Sequence, residues 1–140
     1  MKDTLLELLK AHQPKLASVA TATGEGRPAI AVCAYAVQDD GTIIISTHQS
    51  SHKWQNLETN PEIGLVVGWS FDAPHLQLGG DAALLTGEAA AQIEEFFYGA
   101  NPQAKAFKTP DTGFVVITPT WARITEFKPD GPPKVTEEQL

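Results

Sequence analysis

Short apolar runs separated by polar punctuation fill most of this chain, and their periods change along it. Leu5, Leu8 and Leu9 fall on one face of a short N-terminal helix, which Thr4 to Glu7 opens as a capping box and Pro14 ends. "LASVATAT" (16–23) alternates and is β-rich; "GEGRP" (24–28) reads as a turn, and "AIAVCAYAVQ" (29–38) is a second apolar run. "DDG" (39–41) is a hairpin signal, and "TIIIST" (42–47) predicts a third strand, apolar on both faces at its centre. Ser50 or Ser51 can cap a helix over "HKWQNLET", with Trp54 and Leu57 on its inner face and Asn60-Pro61 as its stop. "EIGLVVGW" (62–69) predicts a fourth strand, and "HLQLGGDAALLTGE" (75–88) a fifth, bulged at Gly79-Gly80. "AAAQIEEFFYG" (89–99) predicts a helix with Ile93, Phe96 and Phe97 inward and Gly99 as its stop. "TGFVVITPTWARITEF" (112–127) predicts a long last strand broken by Pro119.

The expected fold class is therefore mainly β: six strands in consecutive antiparallel hairpins, short helices between them, and a count that suits a small closed barrel. Residues 1–127 form a single domain with an N-terminal helix in this reading. The tail 128–140, with three prolines and a charged end, is expected to be loose.

Composition narrows the function. With 140 residues, 42% of them hydrophobic, the chain can bury a real core. A net charge of -7 with ten scattered basic residues leaves no footprint for nucleic acid and no polybasic patch for a membrane. The one cysteine, Cys33, has no partner for an internal disulfide, and Glu7 and Lys10 interrupt the N-terminal leucines before a signal peptide could form. A cytoplasmic setting is the default expectation.

Most local motifs resolve into turn chemistry. "GEGRPA" fits a loose dinucleotide fingerprint, but Pro28 with Ile30 and Val32 suits a strand, and the acidic partner expected about twenty residues on is missing. His48 and His52 are four apart, but His48 precedes the expected helix start and no third metal ligand is obvious, Glu58 and His75 being the only candidates, so they read as solvent-facing or hydrogen-bonding side chains. Ser50 and Ser51 lack a nucleophile elbow, and Cys33 sits in apolar surroundings. One segment keeps more chemistry. Thr47 at a strand end, Ser51 at a helix start and Lys53 one turn in can converge beside free helix amides, a donor set that suits a phosphate. A capped helix with an exposed lysine explains the same residues, and on the residues alone the two readings stand level.

The runs "LASVAT", "GRPAIAVCAY", "DDGTIIISTHQSSHKWQNLETNPEIGLVV", "LQLGGDAALLTGE" and "FVVITPTWARITEF" resemble, in order, the pyridoxamine 5'-phosphate oxidase-like FMN-binding split-barrel family over nearly the whole chain. The resemblance implies a homodimer of six-stranded Greek-key barrels, with FMN in clefts at the interface. It assigns the phosphate to Thr47, with Ser46 beside it at the strand end, and to Ser51, His52 and Lys53 at the helix start. It lays the flavin ring along Val32, Cys33, Ala34 and Tyr35, and offers Gln77 as a polar contact. The implied function is flavin-dependent redox chemistry on a small molecule, with no assigned acid or base beyond the protic groups of Tyr35 and His48. A non-catalytic flavin carrier or sensor, or a barrel holding a deazaflavin or haem, are the alternatives. The chain departs from the full oxidase in three places: no charge on the second strand, His52 where the family has arginine, and no C-terminal arginine motif, with Phe127 standing for a tryptophan. These departures argue against pyridoxal phosphate formation.

Overall fold

The apolar runs become strands because alternate residues can bury on one face while the other meets water or a helix. The computed structural model describes residues 1–140. Its strands are β1 (Leu16–Ala22), β2 (Pro28–Val37), β3 (Ile43–His48), β4 (Glu62–Val67), β5 (His75–Leu85), β6 (Thr112–Glu126) and β7 (Lys134–Gln139). The helices are α1 (Lys2–Ala11), α2 (His52–Thr59) and α3 (Gly87–Ala100), followed by a 3-10 helix, Pro102–Phe107. The strand order is β3-β2-β1-β4-β5-β6-β7, and an added β3–β6 pairing closes β1 to β6 into an antiparallel barrel. The neighbours β4-β1-β2-β3 are a Greek key whose long return connection contains α2.

Both expected hairpin turns form. Gly26 and Gly41 adopt φ of 88° and 91°, which only glycine tolerates freely, and "GEGRPA" is thus a turn into β2. Gly79-Gly80 marks a register shift against β6. Pro119 lies opposite Gly80 at that irregularity, so the missing N–H breaks no regular ladder and β6 runs through it as one strand.

Inside the barrel, Val19, Tyr35, Ile43, Ile45, Leu65 and Leu78 are almost wholly excluded from water. Burial of an aliphatic side chain of this kind stabilises by about 1.5–3 kcal/mol. Leu5 and Leu9 of α1 and Trp54 and Leu57 of α2 join the same core. A second cluster lies outside the sheet, where Ala90, Phe97 and Tyr98 of α3 cover Ala36, Ile44 and Phe114.

Four expectations are corrected. The helix α1 begins at Lys2, so Thr4 lies inside it and makes no cap. Phe96 is on the exposed side of α3 while Tyr98 is buried. Gly99 does not end α3; the helix runs to Ala100, and Asn101 caps it with its own buried amide, donating to Phe97 O and Tyr35 O. Finally, residues 134–139 of the expected loose tail form β7 on the outer half of β6, helped by Arg123 donating to Glu137 from Nε and Nη2.

Candidate functional site

The ladder between β2 and β3 is short. It joins only Tyr35 to Ile45, Ala36 to Ile44 and Val37 to Ile43. Beyond it, β2 stays with β1 as far as Pro28, and β3 stays with β6 as far as His48. The two strands part, and α2 begins at the gap.

Ser51 holds extended backbone angles and caps α2, its Oγ accepting from Trp54 N at 3.1 Å. Trp54 drives the helix into the barrel, and Gly113 makes the space: a Cβ there would come within 2.5 Å of the indole ring. With α2 so fixed, Ser51 Oγ lies 3.0 Å from Thr47 Oγ1, and Lys53 Nζ donates to Thr47 Oγ1 at 2.9 Å. The amides of His52 and Lys53, at the start of the helix, have no intrahelical acceptor. Two hydroxyls, an ammonium and the free amides of one helix start therefore lie together.

A cleft of about 390 Å³ opens at the split. Val32, Cys33 and Ala34 of β2 form one wall, and Ser46, Thr47 and His48 of β3 form another. Lys53 reaches into it and also lines an adjoining hollow of about 220 Å³ beside Ser51 and His52. Burial pushes the Cys33 thiol up, against the pull of the neighbouring Lys53 ammonium, so this cysteine stays protonated and is no activated nucleophile. At the rim, the Ser50 hydroxyl and then its amide hold the Asp111 carboxyl below the usual range, through bonds of 2.7 and 3.2 Å. His48 Nδ1 lies 3.4 Å from Thr109 Oγ1. His48 and His52 sit on separate elements, and no group of three or more His, Cys, Asp or Glu side chains is placed to hold a metal.

The cleft thus gathers Val32, Cys33, Ala34, Ser46, Thr47 and Lys53, with Ser51 and His52 alongside. Two expected residues are elsewhere. Tyr35 faces the barrel interior, where its Oη donates to Leu9 O at 2.8 Å and its backbone O is taken by Asn101. Gln77 is exposed on β5, three strands from β2, in the row Val32–Ser18–Val66–Gln77. The wall the sequence reading missed is Tyr98, Gln103 and Phe107, from α3 and the 3-10 helix. Its only sequence signal is Phe107, a lone aromatic between Ala106 and Lys108.

Tyr35 gives a direct prediction. Tyr35→Phe leaves the Leu9 carbonyl at the end of α1 without its donor and is expected to cost about 1–3 kcal/mol in urea unfolding. Burial also raises the phenol from 10.0 to about 12. The folded state holds this proton more tightly than the unfolded chain, so its contribution is intact below pH 10 and is lost as pH rises toward 12. Wild type should therefore lose urea resistance over that window more steeply than the phenylalanine variant; parallel losses would refute the assignment.

A family model described as pyridoxamine 5'-phosphate oxidase matches residues 1–126. No curated protein matches the chain. Among solved structures, the fold is shared with a heme binding protein from Mycobacterium smegmatis (TM-score 0.78, 16% identity), covering 99% of this chain and 58% of that one. It is shared with a pyridoxamine 5'-phosphate oxidase-related, FMN binding protein from Nostoc punctiforme (TM-score 0.68, 13% identity), covering 99% and 94%. General Stress Protein 26 from Bacillus anthracis is also similar (TM-score 0.72, 17% identity), covering 99% and 98%.

Proposed function

The chain belongs to the pyridoxamine 5'-phosphate oxidase family, and on that premise we propose that its cleft binds FMN and that the protein is a homodimeric flavin-dependent oxidoreductase acting on a small molecule. The observation that carries this reading is the cradle of Thr47, Ser51 and Lys53 at the split. Every group in it donates or can donate a hydrogen bond, and no carboxylate lines either hollow beside it, which suits a phosphate and no cation. The stretch of β2 from Val32 to Ala34 has no strand on its β3 side, leaving an edge along which a flavin ring can lie. When bound, the flavin supplies the hydride or electron chemistry. The chain's own residues anchor the phosphate, orient the ring and, through the exposed His48 imidazole, offer a protic group in the cleft. The β2 wall carries no arginine or lysine, so the substrate is proposed to differ from pyridoxamine phosphate.

The dimer is supported by an uncharged stretch of the outward sheet face, bordered by Glu62 and Asp81 at one end and by Arg123 beyond Gln77. Ile30 is 75% and Val32 58% exposed on β2, followed across β1 and β4 by Ala20, Ser18, Gly64 and Val66. Gln77 lies on that same face, remote from its own cleft. A two-fold contact is self-complementary, so it brings each Gln77 toward the other copy's β2.

The test is the absorbance spectrum of the purified protein, with the mass of whatever heat releases from it. A flavin spectrum and the mass of FMN support the reading; a protein that is colourless and fails to bind added FMN refutes it, and a Soret band would assign the cleft to haem. Lys53→Ala should weaken FMN binding by roughly ten- to a hundredfold, since a charge-assisted hydrogen bond is worth about 1.5–3 kcal/mol. Riboflavin, which lacks the phosphate, should bind the variant and wild type alike. Steady NAD(P)H oxidation would mark an enzyme, whereas bound flavin without turnover would mark a carrier.

A further inference from the structure

We propose that residues 102–108 form a lid over the cleft, hinged at Asn101 and Thr109 and latched shut by an ion pair between Lys108 and Glu94. This rests on the reading that the split admits a ligand, but not on the ligand being a flavin or on its charge.

The two ends of the segment are fixed. Asn101 is 1% exposed; its Nδ2 donates to Tyr35 O at 2.9 Å and its backbone N to Phe97 O at 3.0 Å. At the other end, where β6 begins, Thr109 N donates to Thr112 Oγ1 at 2.9 Å and Thr112 N donates to Thr109 O at 3.0 Å. Residues 102–108 span these anchors, and none of them is buried.

Between the anchors little holds the segment in place. Gln103, Ala104 and Phe107 line the cleft, yet of these only Ala104 packs against the cluster under α3. On the other side a second hollow of about 590 Å³, lined by Tyr98, Pro102, Lys105 and Lys108, lies between the segment and α3. The backbone bonds at its two ends are local turns, Ala104 N to Asn101 O and Lys108 N to Lys105 O. Its one polar tie to a neighbouring element is the Lys108 ammonium on the Glu94 carboxylate, midway along α3. That bond raises the Lys108 ammonium above its ordinary value. A segment with so little buried surface and one half-exposed ion pair opens at lower free energy than the barrel beneath it. Closed, it walls the cleft from water; open, it clears the mouth for a ligand.

Cys33, the chain's single cysteine, lines the cleft at 7% exposure and reports access to it without any added ligand. The experiment follows its labelling by 4,4'-dithiodipyridine in the full-length protein. Labelling of wild type should be slow, and Glu94→Gln should speed it about two- to fivefold, as loss of one half-exposed ion pair allows. Lys105→Ala, which removes a neighbouring lysine of the same hollow, should leave the rate alone. The exchanged pair, Glu94→Lys with Lys108→Glu, should restore slow labelling. Raising sodium chloride from about 0.1 M to about 1 M should speed wild type and leave Glu94→Gln unchanged, because salt screens the latch. Urea midpoints should agree across the set, so that faster labelling reports the lid and not global unfolding. Should Glu94→Gln lower the midpoint, the salt effect on wild type decides. Equal rates for wild type and Glu94→Gln, or an equal rise for Lys105→Ala, overturn the latch. Labelling that appears in no variant below the unfolding transition overturns the lid. If FMN fails to bind while the labelling pattern appears, the flavin reading falls and the lid stands. If FMN binds, and associates at one rate with wild type and a Glu94→Gln variant that also label alike, the flavin reading stands and the lid falls.

Discussion

Phe97→Ala is expected to destabilise the protein by about 3–5 kcal/mol. The ring is wholly buried between α3 and the outer face of the sheet, edge-on to Tyr98 and Phe114 at centroid distances of 5.4 Å each. Truncation removes the buried area, both aromatic pairs and the contact through which α3 grips β3 and β6. The cluster is small, and the sheet separates it from the barrel core, so few side chains can move in to fill the space. Against a typical total of about 5–15 kcal/mol, the loss should be plain as a lowered urea midpoint at unchanged slope. Phe96→Ala is the control. That ring is adjacent in sequence but on the exposed side of α3, at 41% exposure, and its loss should cost about 1 kcal/mol. Equal midpoints for the two variants would show that α3 is not held by this cluster. Because Tyr98 lines the cleft from the same helix, Phe97→Ala should also loosen the wall that carries Phe107.

The contrast between Phe96 and Phe97 shows where the sequence is legible and where it is not. Both fit an inward face at helical spacing with Ile93. Only the packed structure places the inward stripe on Ala90, Ile93, Phe97 and Tyr98, and it carries the helix on to Ala100 instead of stopping at Gly99. Local signals succeeded where the chemistry is local. Ser51 caps α2 by its own hydroxyl, Gly26 and Gly41 supply left-handed turns, and Gly79-Gly80 dislocates a ladder. Thr4 failed as a cap because α1 had already begun two residues earlier, where no side-chain cap is made.

Longer-range features were hidden for a different reason. In β7, "KVTEEQ" has one apolar residue, and its pairing comes from cross-strand partners on β6 such as Arg123, invisible to periodicity. Tyr35 was placed beside the flavin by neighbourhood along the chain, but strand alternation turns it inward while Ala34 turns out. The cradle itself was legible, because Thr47, Ser51 and Lys53 lie within one strand-to-helix turn. The facing wall, some fifty residues further on, was not, since nothing in the sequence aligns Phe107 with Val32.

Ile30→Asp is expected to convert the proposed dimer into monomers. In the single chain Ile30 stands in solvent on an outward strand face, so the barrel should fold with the aspartate in place and keep its urea midpoint at low protein concentration. In a two-fold contact the same substitution enters twice. Each carboxylate would be withdrawn from water against the partner's equivalent face, whose Arg123 is already paired with Glu137. An unpaired buried charge costs several kcal/mol per ion, so two of them outweigh what a face of about 800 Å² per partner is expected to contribute in net binding. Sedimentation at micromolar concentration should give the dimer mass for wild type and the monomer mass for Ile30→Asp. Flavin affinity should fall as well, because Ile30 also lines the hollow beside Ser51, His52 and Lys53, where a carboxylate opposes a phosphate, and because in the proposed dimer Gln77 is supplied by the second copy; Lys53→Ala should reduce flavin affinity and leave the mass unchanged. A wild-type monomer would leave each cleft to be completed by its own chain, and an Ile30→Asp dimer would move the interface elsewhere.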